Sequence, residues 1–177
     1  GIQLLQDQGV VLLWRPFHEL NGGWFWWGNR DATQFQNVWK HMFDYFTNVK
    51  HLNNILWVYN AWVGVGNVTA YYPGPEYVDI VSLDGYSDGI AGWAGDYGQL
   101  QALNKPFAIA ELGSGDAING GDPNYDLSGF IADIKSALPE TRYWMQWENT
   151  WSMNHGTNPS GLLNDAWVIN RDELPGW

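Results

Sequence analysis

The 177-residue chain predicts an α/β fold, a (β/α) barrel of the TIM type that stops short of closure. Three observations lead there. Five short apolar runs alternate with stretches of helical periodicity, in the order αβαβαβαβαβ, which favours parallel strands joined by right-handed helical crossovers. The first run, Val10–Trp14, is continuous rather than alternating, as expected of a strand buried on both faces. Polar residues collect just beyond each run: Arg15, His18 and Glu19; Asn60; Asp84 and Tyr86; Glu111; Gln146 and Glu148. Chemistry gathered at the carboxyl ends of successive parallel strands is how a (β/α) barrel builds its site. A doubly wound open sheet is the alternative, but no glycine-rich phosphate turn follows any strand. GVGNVT (64–69) lacks a third glycine and falls in a long loop.

The elements follow in order. Ile2–Gln6 reads as the end of a helix stopped by Gly9. Val10–Trp14 is the first strand. Phe35, Val38, Trp39, Met42, Tyr45, Phe46 and Val49 recur at helical spacing, with Asp31 or Thr33 available as the cap. ILWVYN (55–60) is a second strand and the glycine-rich stretch 61–76 a loop. YVDIVSLDGY (77–86) holds the third strand, and a weaker helix falls around 94–103. KPFAIAELG (105–113) is the fourth strand, Asp126–Leu138 a helix with Phe130, Ile134 and Ala137 on one face, and RYWMQW (142–147) the fifth strand. Five strands cannot close a barrel whose curvature suits eight, because tilt and stagger are linked to strand number. The first and last strands should then be apolar edges, which invite self-association unless loops and the C-terminal segment Leu162–Trp177 cover them.

Composition narrows the function. Eight Lys and Arg against 19 Asp and Glu leave a net charge of −11, which disfavours nucleic acid and anionic membranes as partners. No apolar run approaches the roughly 20 residues of a membrane span. There is no cysteine, so no disulfide framework. The N-terminal GIQLLQDQG lacks a charged n-region and a long apolar h-region, so no signal peptide is expected within the chain. Thirteen Trp, nine Tyr and seven Phe exceed what a core of this size requires. Some of these rings are expected to line a groove, where the C–H faces of sugars stack on aromatic faces.

Glu19 and Glu111 each terminate an apolar run. Two carboxylates facing one another across an aromatic-walled groove are the equipment of glycoside hydrolysis: one protonated to serve the leaving oxygen, one ionised to attack the anomeric carbon. Burial among His18, Arg15 and aromatics is expected to raise the pKa of Glu19. The plainer reading is that each glutamate pairs with an arginine. Other chemistries fit less well. His18-Glu19 begins a zinc-protease motif, but Gly22 stands where the second histidine belongs. Ser114 lacks the glycines of a nucleophile elbow. Asp116, Asp122 and Asp126 lack a recognised calcium-loop spacing. No metal or cofactor is expected.

RPFHELNGGWFWWG (15–28) closely resembles the signature of glycoside hydrolase family 26, the endo-β-mannanases. LWVYN (56–60), YYPGPEYVDIVSLDGY (71–86), KPFAIAELG (105–113) and WMQWEN (144–149) resemble later blocks of that family in the same order. The resemblance implies one catalytic domain over residues 1–177, corresponding to strands 4–8 of a (β/α)8 barrel. It implies a retaining enzyme that acts within mannan, glucomannan or galactomannan chains, and a secreted one. By position, Glu19 matches the acid/base and Glu111 the nucleophile. His18, Trp24, Tyr86 and Trp147 match residues around the sugar, Tyr86 as hydrogen-bond donor to the nucleophile and Trp147 as floor of the −1 subsite. Arg15 and Asn21 lie in the same signature and are expected to contact substrate. A β-glucanase or β-1,3-xylanase of the family is the alternative, and beyond enzymes a non-catalytic carbohydrate-binding protein.

Overall fold

The structure, a computed structural model, describes residues 1–174. Helix α1 (Ile2–Asp7) ends at Gly9, whose φ of 71° turns the chain into strand β1 (Leu12–Trp14). Helix α2 (Ala32–Asp44) is capped by Asp31, whose carboxylate accepts from the Gln34 amide at 2.8 Å. It continues into a π-helical turn at Tyr45–Val49. Strands β2 (Ile55–Trp62) and β3 (Ile80–Tyr86) follow, then α3 (Ala94–Gln101), β4 (Phe107–Gly113), α4 (Ser128–Ala137), β5 (Thr141–Gln146) and a short α5 (Pro159–Leu163). The sequence reading placed every strand within a few residues but did not find α5. No helix among the described residues is long and apolar enough to cross a membrane.

All four strand pairings are parallel and the spatial order is the chain order, β1-β2-β3-β4-β5. A doubly wound sheet would reverse its order at a switch point; this one instead curls through 207° into an open half-barrel. Helices cover the convex face. Trp39 of α2, fully buried, packs 6.1 Å from both Trp57 and Tyr59 of β2, and its indole N–H donates to the Tyr77 carbonyl at 3.0 Å. Phe107, Ile109 and Leu112 of β4 join the same core with Phe130 and Ile134 of α4.

Burial on both faces holds for β4, every residue of which is buried, but not for β1 and β5. Val11 is 64% exposed, and Leu13, Leu56 and Met145 are also exposed. The last three alternate with Trp14, Trp57 and Trp144, which pack toward the helices, so they point into the concave side. In a closed barrel that side is filled by side chains from opposing strands. Of the C-terminal segment expected to cover the opening, Leu162 is fully buried, and Leu163, Trp167, Val168 and Ile169 line a cavity of about 350 Å³ with Tyr143 and Trp144 of β5. This leaves Met145 open, so the covering is partial. Residues 175–177 of that segment lie outside the described residues.

Candidate active site

The polar ends of the strands converge on the concave side, and Arg15 ties them together. Its guanidinium donates to Asp84 Oδ2 and Glu111 Oε1, each at 2.5 Å, and to Asn60 Oδ1 at 3.2 Å. One arginine just past β1 thereby bridges β2, β3 and β4. Burial pushes the fully buried Asp84 carboxyl upward, against the pull of Arg15. A bulge prepares this meeting. Leu83 lies opposite Ile109, but the next residue, Asp84, lies opposite Glu111, so β4 carries one extra residue, Ala110. The bulge re-aims Glu111 beside Asp84.

Glu111, 4% exposed, accepts from Arg15 on one oxygen and from the Tyr86 hydroxyl on the other, the latter at 2.7 Å. Both oxygens are thus oriented by donors. Burial, then the hydrogen bond to Glu111, drives the Tyr86 phenol upward, so it remains a donor. Glu19, 6% exposed, has a different setting. Its carboxylate accepts from the Trp24 indole N–H, and its pKa is pushed up to about 7, chiefly by burial. One Glu19 oxygen, one Glu111 oxygen and a ring nitrogen of His18 all lie within 4.8 Å of one another. His18 packs against the stacked pair Phe25 and Trp27, ring centroids 4.6 and 5.7 Å away. Burial, then the nearby Arg15 charge, lowers its pKa, favouring the neutral imidazole.

Such a His-Glu-Glu group has donor atoms for a metal ion. Both oxygens of Glu111 are already engaged, however, and the Arg15 cation sits where a second cation would be repelled. The loop aspartates are engaged separately: Asp116 by Ile118 and Asn119, Asp122 by the Asn124 amide, Asp126 by Ser128.

The cleft over Glu19 encloses about 530 Å³ and is walled by Trp24, Trp62, Tyr86, Trp147 and Trp151, with Ala117 and Ile118 at its rim. Trp24 meets Trp62 edge-on at 5.3 Å, and Tyr86 lies between Trp62 and Trp151 at 5.7 and 5.1 Å. Two sequence expectations change here. Asn21 gives its amide to the carbonyls of Trp62 and Gly66 and accepts from the Trp62 amide, so it fastens the loops instead of facing the cleft. Arg15 is turned to Asp84 and Glu111 and paired with both. Four site residues went unassigned. Asn60 and Asp84 each end an apolar run, the same signal that marked the two glutamates. Trp62 and Trp151 carried no signal beyond the abundance of tryptophan.

The model of glycosyl hydrolase family 26 matches residues 1–173. A mannan endo-1,4-β-mannosidase (A and B) of Caldalkalibacillus mannanilyticus is 41% identical over 98% of this chain and 35% of its own length. A mannan endo-1,4-β-mannosidase of Bacillus subtilis strain 168 is 40% identical over 98% of this chain and 49% of its own length. The solved structure of the Bacillus subtilis mannanase BCman superimposes with a TM-score of 0.89 at 39% identity, covering 99% of this chain and 53% of that one. The chain therefore spans about half the length of these relatives, or less.

Proposed function

The chain belongs to glycosyl hydrolase family 26, and from that premise we propose that it carries the catalytic half of a retaining endo-β-1,4-mannanase. The observation that carries this reading is the carboxylate pair. One oxygen of Glu19 and one of Glu111 lie within 4.8 Å of each other, a close approach that suits the ~5–5.5 Å carboxyl separation of retaining enzymes better than the ~6.5–9.5 Å that leaves room for a water in inverting ones.

The roles follow from the surroundings. Glu19, protonated up to about pH 7, gives its proton to the departing glycosidic oxygen. Glu111, held by Arg15 and Tyr86, attacks the anomeric carbon and forms the glycosyl-enzyme. Glu19, now ionised, takes a proton from water as that water releases the sugar. Trp24, Trp62, Trp147 and Trp151 supply stacking faces for successive pyranose rings, with His18 beside the reacting carbon. Mannan, glucomannan or galactomannan is the substrate class, which the names of the two relatives support. Export from the cell belongs to the same proposal, because a polymeric substrate must be met outside it.

Reducing-sugar release from mannan, mixed-linkage β-glucan and β-1,3-xylan, compared side by side with Glu111→Ala as the control, tests this. Release from mannan, lost in the variant, is the expected result. Preference for another polymer would reassign the substrate, and binding without release would leave only a carbohydrate-binding protein.

A further inference from the structure

Asn60 is the most completely engaged side chain in the site, and no step of the reaction uses it. It is fully buried, and both ends of its carboxamide are filled. Oδ1 accepts from the backbone N–H of Glu19 at 2.9 Å and from Arg15 at 3.2 Å. Nδ2 donates to Ser82 Oγ at 2.9 Å and to Asp84 Oδ1 at 2.8 Å. The amide orientation is fixed by chemistry, since the Glu19 N–H and Arg15 only donate and a carboxylate only accepts. Ser82 in turn donates to the Tyr59 carbonyl at 3.1 Å, which locks the node to the sheet. The main-chain carbonyl of Asn60 takes the Leu20 amide at 3.4 Å.

Glu19 needs such a support. Its φ is 53°, the left-handed region that a residue with a Cβ rarely adopts, and Phe17 two residues earlier shares it. Such backbone persists only where its surroundings over-determine it. Two hydrogen bonds from consecutive amides, Glu19 and Leu20, to one asparagine anchor this turn to β2, beside the pair that Asn21 makes with Trp62 at the end of the same strand.

We propose that Asn60 is a positioning residue for the acid/base: its carboxamide holds the Glu19 peptide in its left-handed turn and couples that turn to the Arg15–Asp84–Glu111 clamp. This rests on the retaining reading given above. Without the Asn60 oxygen, the Glu19 N–H is left unpaired in a buried place, the turn relaxes, and the carboxyl leaves its seat beside Trp24.

The test uses Asn60→Ala and Asn60→Asp with two readouts. The first is the ratio of kcat/KM on an unactivated manno-oligosaccharide to that on a dinitrophenyl mannoside, whose leaving group needs little protonation. The second is the titration of Glu19, followed by carbon-13 NMR of labelled glutamate. Asn60→Ala should lower turnover of the oligosaccharide about 100-fold and of the activated mannoside about 10-fold or less. Its Glu19 should titrate below the wild-type value, toward the ordinary glutamate range. Asn60→Asp keeps an acceptor oxygen toward Glu19 and Arg15, so the ratio should return toward wild type even if total activity falls, while the added carboxylate keeps Glu19 titrating at or above the wild-type value. Equal loss on both substrates with Glu19 titrating unchanged would overturn the proposal. Should Asn60→Ala not fold, Asn60→Asp decides alone, a lost ratio with Glu19 titrating below the wild-type value counting against it. If the wild type turns over neither substrate, the retaining reading fails, and the titration still decides the role of Asn60.

Discussion

Glu19 sits among aromatic rings with the Trp24 indole as its donor, whereas Glu111 is held by an arginine and a phenol. That difference sets the pH dependence. Because Glu19 must be protonated to serve the leaving group, kcat should fall as pH rises through about 7, and Glu19→Gln should erase that limb of the profile. Stability should follow the same group. Folded Glu19 keeps its proton to about pH 7, while an unfolded glutamate loses it near the ordinary value of 4.5, so the native state binds more protons between these values. Stability therefore falls as pH rises through that window. Glu19→Gln should accordingly raise Tm relative to wild type at pH 8 and leave it unchanged at pH 4, as measured by thermal unfolding at both pH values. Tyr86→Phe removes the 2.7 Å donor to Glu111 and should slow glycosyl-enzyme formation about 100-fold with little change in substrate binding, read from pre-steady-state bursts.

At the scale of elements, β4 and the loops beside it place the catalytic groups through close packing. A Cβ at Gly113, the last residue of β4, would stand 2.6 Å from both the Tyr86 ring and the Trp151 ring. Those rings are stiff and half-enclosed, so Gly113→Ala should push Tyr86 from Glu111 and lower kcat more than it lowers Tm. On the convex face, Trp39 joins α2 to β2, and Trp39→Ala should cost about 3–5 kcal/mol in urea unfolding. Much of this level was legible beforehand. The spacing of Phe35, Trp39, Met42 and Phe46 gave α2 and its buried face, and continuous apolar runs gave β2 to β4. The bulge at Ala110 was not legible, because a bulge is a property of the pairing between two strands and leaves no mark in either one's pattern. Nor was the inward turn of Asn21. Glu19 and Trp24 on either side of it line the cleft, and only the approach of the Trp62 and Gly66 backbones, more than 40 residues away, decides its direction.

At the largest scale the described residues form an open half-barrel with apolar side chains exposed on its concave side. Leu13, Leu56 and Met145 show there, and Val11 is exposed beside β1. Exposed strand edges with apolar neighbours favour association. Light scattering of the 177-residue chain should therefore show self-association, which should be suppressed by adding the first three barrel strands as a separate polypeptide. A stable, active monomer with both edge strands open would contradict this. The strand order, and with it the half-barrel, was readable from the alternation of elements, since consecutive βα units leave little freedom of arrangement. The partial cover from Leu163 to Ile169 falls within the C-terminal segment expected to cover the opening, but its helix α5 is too short to leave a periodic signal. The retaining pair at the centre of this sheet is tested most directly by trapping. A mannosyl fluoride carrying fluorine at C2 slows the second step, so the glycosyl-enzyme accumulates and the labelled peptide is identified by mass spectrometry. A single mannosyl label on Glu111, lost in Glu111→Ala, is the predicted result; a label on Glu19, or turnover to the inverted anomer with no label at all, would contradict it.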